Sequence, residues 1–304
     1  MGNLNLQLEI KDFLYHCEFA LGKSLNTIKS FRIDLNRFND YIKNCKDLKE
    51  ISDITAFNFR EFFVELQNEE VGKRSLNRKI SSLKSFFKYL KSTDVIKKDP
   101  TRLIVPPSYD KGIPDVLSLD EVKRIRKAID LKTYQNYRDR LILELLYSSG
   151  ITSQELLGLG EDVFNLEERE VVVTSFKKSR VVYFSERTRE YLKRYVELKK
   201  EKLGEKYRRD ILFVNNSGTR LSDRSLRRLI DRYSDKANIG RDISPHTFRH
   251  TFAVHMLERG MNLVQLQKLL GHTSPETTRI YIEALDKQRK KEYINILQNM
   301  DIES

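Results

Sequence analysis

Three of the five histidines in this 304-residue chain fall within ten positions, in the stretch SPHTFRHTFAVHMLERG from residue 244 to 260. His246 and His250 stand four apart, so on a helix they share a face, as zinc ligands sometimes do. A closed zinc site needs further ligands, and no cysteine or carboxylate is placed nearby to supply them. Arg249 lies between the two and would repel a dication, so a metal is not expected. His250 and His255 read as hydrogen-bonded interior imidazoles, since His255 follows Phe252 by three and adjoins Met256 and Leu257. His246 and Arg249 have a different setting. They follow Pro245 into the first turn of a helix, where free backbone N–H groups already favour an anion. A cation pair three residues apart at that place looks like a phosphate clamp.

The charge balance points the same way. With 56 Lys and Arg against 44 Asp and Glu, the formal net charge is +12. Pairing such a surface with a polyanion releases counterions, which makes nucleic acid the favoured partner over an idle solvated surface. Hydrophobic residues make up 39% of the chain, the composition of a folded globular protein. No apolar run approaches the ~20 residues of a membrane span. The first residues lack the charged start, apolar block and small-residue site of a secretory signal, so a cytoplasmic protein is expected. Cys17 and Cys45 are too few for a disulfide framework, and Cys17 reads as a buried thiol.

These residues need elements to position them. In the first hundred residues, Ile28, Phe31, Leu35, Phe38 and Ile42 recur at steps of three and four, one apolar helical stripe. Leu76, Ile80, Leu83, Phe87 and Leu90 form a second. Arg74, Arg78, Lys79 and Lys84 occupy the faces left over, either as a helix lying along DNA or as a solvated basic face. The segment DPTRLIVPPSYDKGIPDVLS, with four prolines, marks an interdomain linker. This predicts a helical domain over 1–104, a linker over 105–116 and a second domain over 117–304. In the second domain Ser118 and Glu121 form a capping box, and YRDRLILELLYSSG is a helix ending at Gly150. REVVVTSFKKSRVVYFS reads as a β-hairpin, DILFV as a further strand. Helices then resume, and a last short amphipathic helix carries Tyr293, Ile294, Leu297 and Met300 on one side.

The combination HTFRHTFAVHML…LLGHTSPETTRIY closely resembles the catalytic segment of the tyrosine recombinases: a His-x-x-Arg pair, then Leu-Gly-His, then a tyrosine nine residues past that histidine. The resemblance covers the whole chain, whose length is similar to that of simple Xer-type recombinases. It implies a mainly α fold of two domains: an all-helical core-binding domain that clamps DNA, and a mostly helical catalytic domain with a small antiparallel β-sheet. It also implies that Tyr281 attacks a DNA phosphodiester, leaving a 3′-phosphotyrosine and a free 5′-hydroxyl. Bond energy stays in that link, so no cofactor, metal or ATP is expected.

The residue types suit this chemistry. A tyrosine has a pKa of about 10, so its proton must leave as it attacks. Arg249 can offer a forked, charge-assisted pair of hydrogen bonds to non-bridging oxygens, His272 another, and His246 can donate or exchange a proton. For the general acid at the leaving 5′-oxygen the resemblance implies a lysine on the hairpin turn. Counting back from Arg180 places Ser175 at its usual position, and Lys177, with Lys178 behind it, is the residue expected to serve.

A larger departure lies in SSGITSQELLGL. The family segment usually reads Gly-Leu-Arg-x-Ser-Glu-Leu, and here Thr152 occupies the position of the first catalytic arginine. Arg138 and Arg140, over three turns upstream, are not placed to substitute. Glu155 keeps its usual supporting place. The resemblance further implies double-stranded DNA with paired inverted half-sites as substrate. It implies a homotetramer joined through the C-terminal helix, Holliday-junction exchange, and room for an accessory activator protein. Thr152 makes slow cleavage the expectation. A catalytically silent DNA-binding regulator with the same fold is the alternative, and a metal-dependent nuclease a distant third.

Overall fold

The computed structural model describes residues 4–45, 47–108, 112, 114–175, 178–272 and 274–302. Two compact units emerge, Met1–Lys111 and Gly112–Ser304.

The first unit is helical. Helix α1 (Gln7–Tyr15) runs into one π-helical turn, followed by α2 (Leu25–Lys43), α3 (Ala56–Asn68) and α4 (Lys73–Ser92). Ile28, Leu35, Phe38 and Ile42 from α2 are buried against Leu76, Ile80, Leu83, Phe87 and Leu90 from α4, so the two apolar stripes meet. Phe38 stacks on Phe59 with ring centroids 5.0 Å apart, and the edge of Phe87 closes the cluster. One polar group interrupts this core. The buried Asp34 carboxylate receives Arg78, Lys79 Nζ at 3.3 Å and Ser82 Oγ at 2.7 Å. An unpaired carboxylate there would cost several kcal/mol, so these bonds fasten α4 onto α2.

That contact changes the picture of the basic helix. Arg78 and Lys79 turn toward Asp34, and Lys84 Nζ donates to the Ile104 carbonyl at 2.7 Å. Of the residues expected on a DNA-facing surface, Arg74 is the one that is exposed and makes no internal ion pair among the described residues.

The second unit is built around α6 (Tyr134–Ser149), whose Leu141, Ile142, Leu145 and Leu146 are completely buried. Before it comes α5 (Leu119–Lys127), opened by the Ser118–Glu121 capping box. After it come α7 (Ser153–Gly158) and an antiparallel sheet of β1 (Phe164–Asn165), β2 (Glu170–Ser175) and β3 (Lys178–Tyr183), in the order β1-β2-β3. The expected hairpin is β2–β3, in a register that opposes Val173 to Arg180 and Ser175 to Lys178. Helices α8 (Glu186–Leu203), α9 (Asp223–Lys236), α10 (Pro245–Glu258), α11 (Leu263–Leu270) and α12 (Glu276–Ile302) complete it.

Two expectations need correction. The DILFV run is not a strand of the sheet. Ile211, Leu212, Phe213 and Val214 are buried core residues whose backbone bonds go to loops: Leu212 N–H to the Leu159 carbonyl, and Leu221 N–H to that of Phe213. Apolar content alone does not distinguish such a run from a strand. Nor is the tail a separate short helix, because α12 continues unbroken from Glu276 to Ile302. No helix break separates the Tyr281 turn from the apolar positions that follow.

Local geometry then sets the approach of α10. Helix α6 ends at Gly150 with φ of 61°, a left-handed cap that glycine adopts without strain. A Cβ at that position would stand 2.3 Å from the Phe252 ring. Glycine therefore lets α10 pack directly on the end of α6.

Candidate active site

Arg249 sits on the inner face of α10, only 6% exposed. Its Nη1 donates to the Gly150 carbonyl at 2.6 Å and its Nη2 to the Leu270 carbonyl at 2.7 Å. Both acceptors come from helix ends, where carbonyls lack intrahelical partners. The guanidinium is thus clamped between the C-termini of α6 and α11, with Tyr281 facing it. Burial lowers the Arg249 pKa, an effect opposed by Tyr281 and Glu155. Arginine keeps its charge in such a place.

Tyr281 projects from the second turn of α12 into the same pocket and is 2% exposed. Burial pushes its phenol above the ordinary value, and the facing Arg249 guanidinium offsets part of that rise. Its hydroxyl lies 3.1 Å from His250 Nδ1. The His250 and Tyr281 ring centroids are 5.6 Å apart, those of His272 and Tyr281 6.2 Å, and those of His246 and His250 6.4 Å. The structure therefore brings His246, Arg249, His272 and Tyr281 together, and adds His250.

Each imidazole is placed by a local device. His246 stands in the first turn of α10, behind Pro245 and a Ser244–Thr247 capping box. His272 follows Gly271, the left-handed cap of α11 with φ of 71°, and its Nδ1 lies 2.9 Å from the buried Thr278 hydroxyl. Burial, then the charges of Arg249 and Arg180, pull His272 down to about 4. Burial, then His246 and Arg249, do the same to His250, also to about 4. His246 is lowered by burial and by Arg249. At neutral pH the imidazoles are uncharged and the guanidinium supplies the positive charge. Among the described residues no group of three or more His, Cys, Asp or Glu side chains is arranged to hold a metal ion.

Thr152 is the N-cap of α7. Its Oγ1 accepts the Glu155 N–H at 3.3 Å, while Glu155 Oε2 accepts the Thr152 N–H at 2.8 Å. The other role of Glu155 is a forked ion pair with Arg180 of β3, whose Nη2 reaches Oε2 at 3.0 Å. Burial alone would raise the Glu155 carboxyl, but the Arg180 pair and the Thr152 amide overcome it and hold it below the usual range. Arg180 Nε also donates to the Leu269 carbonyl at 2.7 Å. Its fork is committed to Glu155, so it gives the pocket structure and little free charge. Arg138 is bound to Asp139 and the Val214 carbonyl, and Arg140 to Glu144. Neither reaches toward Thr152. Lys177 lies outside the described residues, and the ladder beside it ends at Ser175 and Lys178.

Sequence reasoning missed His250 and Arg180. For His250 a signal exists: its four-residue step from His246 puts both on one helix face, a spacing that fits a shared site without a metal as well as a zinc pair. Arg180 served only to set the hairpin register. Its partner Glu155 is 25 positions away on another element, which no local pattern reveals.

Comparison with known proteins agrees with this architecture. Residues 115–288 match the model of the phage integrase family, and residues 10–94 match the phage integrase N-terminal SAM-like domain. The tyrosine recombinase XerD of Staphylococcus epidermidis is 35% identical over 285 residues, covering 93% of this chain and 96% of that protein. The crystal structure of XerA recombinase is 27% identical, with a TM-score of 0.53 over 95% of this chain and 98% of that one. A post-cleavage complex of the XerH site-specific recombinase with a palindromic difH substrate shares the fold, with a TM-score of 0.73 at 22% identity over 95% and 85% of the two chains. The chain belongs to the phage integrase family and is a tyrosine recombinase of Xer type. Its fold is the mostly helical two-domain fold of these enzymes, with a small antiparallel sheet.

Proposed function

We propose that this chain cleaves and rejoins duplex DNA with Tyr281 as the nucleophile, through a 3′-phosphotyrosine and a Holliday junction, and that Thr152 makes its cleavage slow. One observation carries the reading: the Tyr281 hydroxyl lies in a buried pocket faced by Arg249 and hydrogen-bonded to His250, with the His272 ring beside it. Arg249 stabilises charge on the non-bridging oxygens, His272 and His246 add donors, and a hairpin lysine, Lys177, protonates the leaving 5′-oxygen. The phosphodiester energy stays in the tyrosyl link, so neither ATP nor a metal has a step to perform.

Thr152 withholds one cation. Its hydroxyl caps α7, whereas an arginine there would present a second guanidinium. Loss of one transition-state donor typically costs ~2.7–4 kcal/mol, or roughly 10²–10³ in rate. Residues 1–104 act as the DNA clamp, joined through 105–116 to the catalytic residues 117–304. Arg74 offers the phosphate contact with least internal competition; Arg78, Lys79 and Lys84 would have to share theirs. The half-exposed Tyr293, Ile294 and Leu297 on α12 support docking of that helix on a neighbouring protomer, four of which would synapse two pairs of inverted half-sites.

A nicked duplex bearing a site selected from random DNA tests the reading, because loss of the short fragment traps the covalent step. A protein–DNA adduct mapping to Tyr281 and absent from Tyr281→Phe is expected. Tight binding with no adduct would instead mark a silent DNA-binding protein with a recombinase fold.

A further inference from the structure

We infer that His250 is the proton acceptor for Tyr281, a catalytic role carried by the 3.1 Å contact between His250 Nδ1 and the Tyr281 hydroxyl. The inference rests on Tyr281 being the nucleophile, as proposed above.

The direction of this hydrogen bond follows from what surrounds it. Arginine can only donate, and Arg249 faces the same phenolic oxygen closely enough to lower its pKa. A donor facing that oxygen favours a phenol whose single proton points at an acceptor. Neutral His250 provides one at Nδ1 when its hydrogen is on Nε2. The fold fixes this pairing from both sides. His250 is carried next to Arg249 on α10, which is clamped at Gly150 and Leu270, and Tyr281 is held by the packing of Phe252, Leu266 and Leu270 around α12.

The state of the ring is suited to the task. His250 is half-buried and is kept neutral by its surroundings, namely burial, His246 one turn earlier and Arg249 beside it. Among the described residues, the titratable and charged groups acting on it are His246 and Arg249 on α10, His272 after α11 and, across the pocket, Tyr281 on α12. A phosphate entering beside Arg249 adds negative charge, which favours an imidazolium at the moment one is needed.

The step balances. As the bond from Tyr281 Oη to phosphorus forms and the bond from phosphorus to O5′ breaks, the Oη proton passes to His250 Nδ1. The leaving 5′-oxygen takes a proton from the hairpin general acid proposed above. In rejoining, the 5′-hydroxyl attacks and returns its proton to that group, while His250 gives its proton back to the departing phenolate.

Single-turnover cleavage of the nicked duplex tests this with parent, His250→Gln and His250→Asn chains. Both amides can hold the tyrosine by a hydrogen bond but cannot accept its proton. The expected result is a loss of ~10²-fold or more in cleavage with DNA affinity retained. Replacing Tyr281 by a fluorinated, more acidic tyrosine should then restore the amide variants by about tenfold or more, while changing the parent little. A merely structural role would not respond to phenol acidity. Cleavage by His250→Gln within about threefold of the parent, or no rescue by the acidic tyrosine, overturns the assignment and leaves Tyr281 chemistry intact. If the parent itself forms no adduct, the nucleophile reading falls first and this one with it.

Discussion

The Arg249 guanidinium donates to the Gly150 carbonyl at 2.6 Å, two residues before Thr152. The end of α6 thus does two jobs. Its glycine lets α10 approach, and its carbonyl orients the Arg249 guanidinium that faces Tyr281. The segment where an expected arginine is replaced by threonine is therefore the same segment that positions the remaining arginine.

Gly150→Ala should damage both stability and cleavage. The left-handed φ of 61° costs an L-residue roughly 1–2 kcal/mol, and the added methyl meets Phe252. Overpacking of this kind adds ~1–3 kcal/mol. Urea unfolding should show a loss of about 2–5 kcal/mol, with cleavage reduced further because Arg249 loses its register.

Acid should weaken the second unit before its carboxylates titrate. His246, His250, His255 and His272 are all held below the ordinary histidine value of 6.5, mainly by burial. Between 6.5 and the lowered folded values, the unfolded chain binds protons that the folded one refuses, so stability falls as pH drops from 7 toward 5. After allowance for partial exposure, a loss of ~1 kcal/mol or more is expected, lowering Tm by about 2–4 °C. Glu155 and Glu121 are lowered carboxyls, whose stabilising effect is present above the unfolded value of 4.5 and lost below it. Thermal melts at pH 7 and 5 separate the two sets. An unchanged Tm would contradict the neutral, buried histidines.

The first unit allows a separation of DNA contact from folding. Arg74→Ala should weaken DNA binding and reduce the salt slope by about 1, with no change in thermal stability. Asp34→Ala should do the reverse in stability, destabilising by ~3–5 kcal/mol because Lys79 is left largely buried beside an emptied site. Affinity measured at two salt concentrations, with melting curves alongside, distinguishes these outcomes.

Much of the fold was legible because its signals are local. The α2 and α4 stripes, the Ser118 capping box, the β2–β3 hairpin and the glycine end of α6 each rest on spacing within one element. The motif spacing likewise singled out His246, Arg249, His272 and Tyr281, which share one pocket. What escaped depends on partners remote in sequence. Arg78 looked like a surface cation because Asp34 stands 44 positions earlier. His250 looked like a core histidine because its hydroxyl partner is 31 positions on. The buried run at Ile211–Val214 had strand composition, yet its backbone partners are loops.

Whether one transition-state cation is missing from this recombinase is decided by the Thr152→Arg exchange. The variant removes an N-cap, at a cost of ~0.5–2 kcal/mol in stability, and restores a guanidinium at the pocket. Single-turnover rates on the nicked duplex should show both chains trapped through Tyr281, with Thr152→Arg faster by about 10²–10³-fold despite its lower Tm. Equal rates in a folded variant that binds the site normally would mean that the threonine is no handicap to cleavage and that no cation is missing.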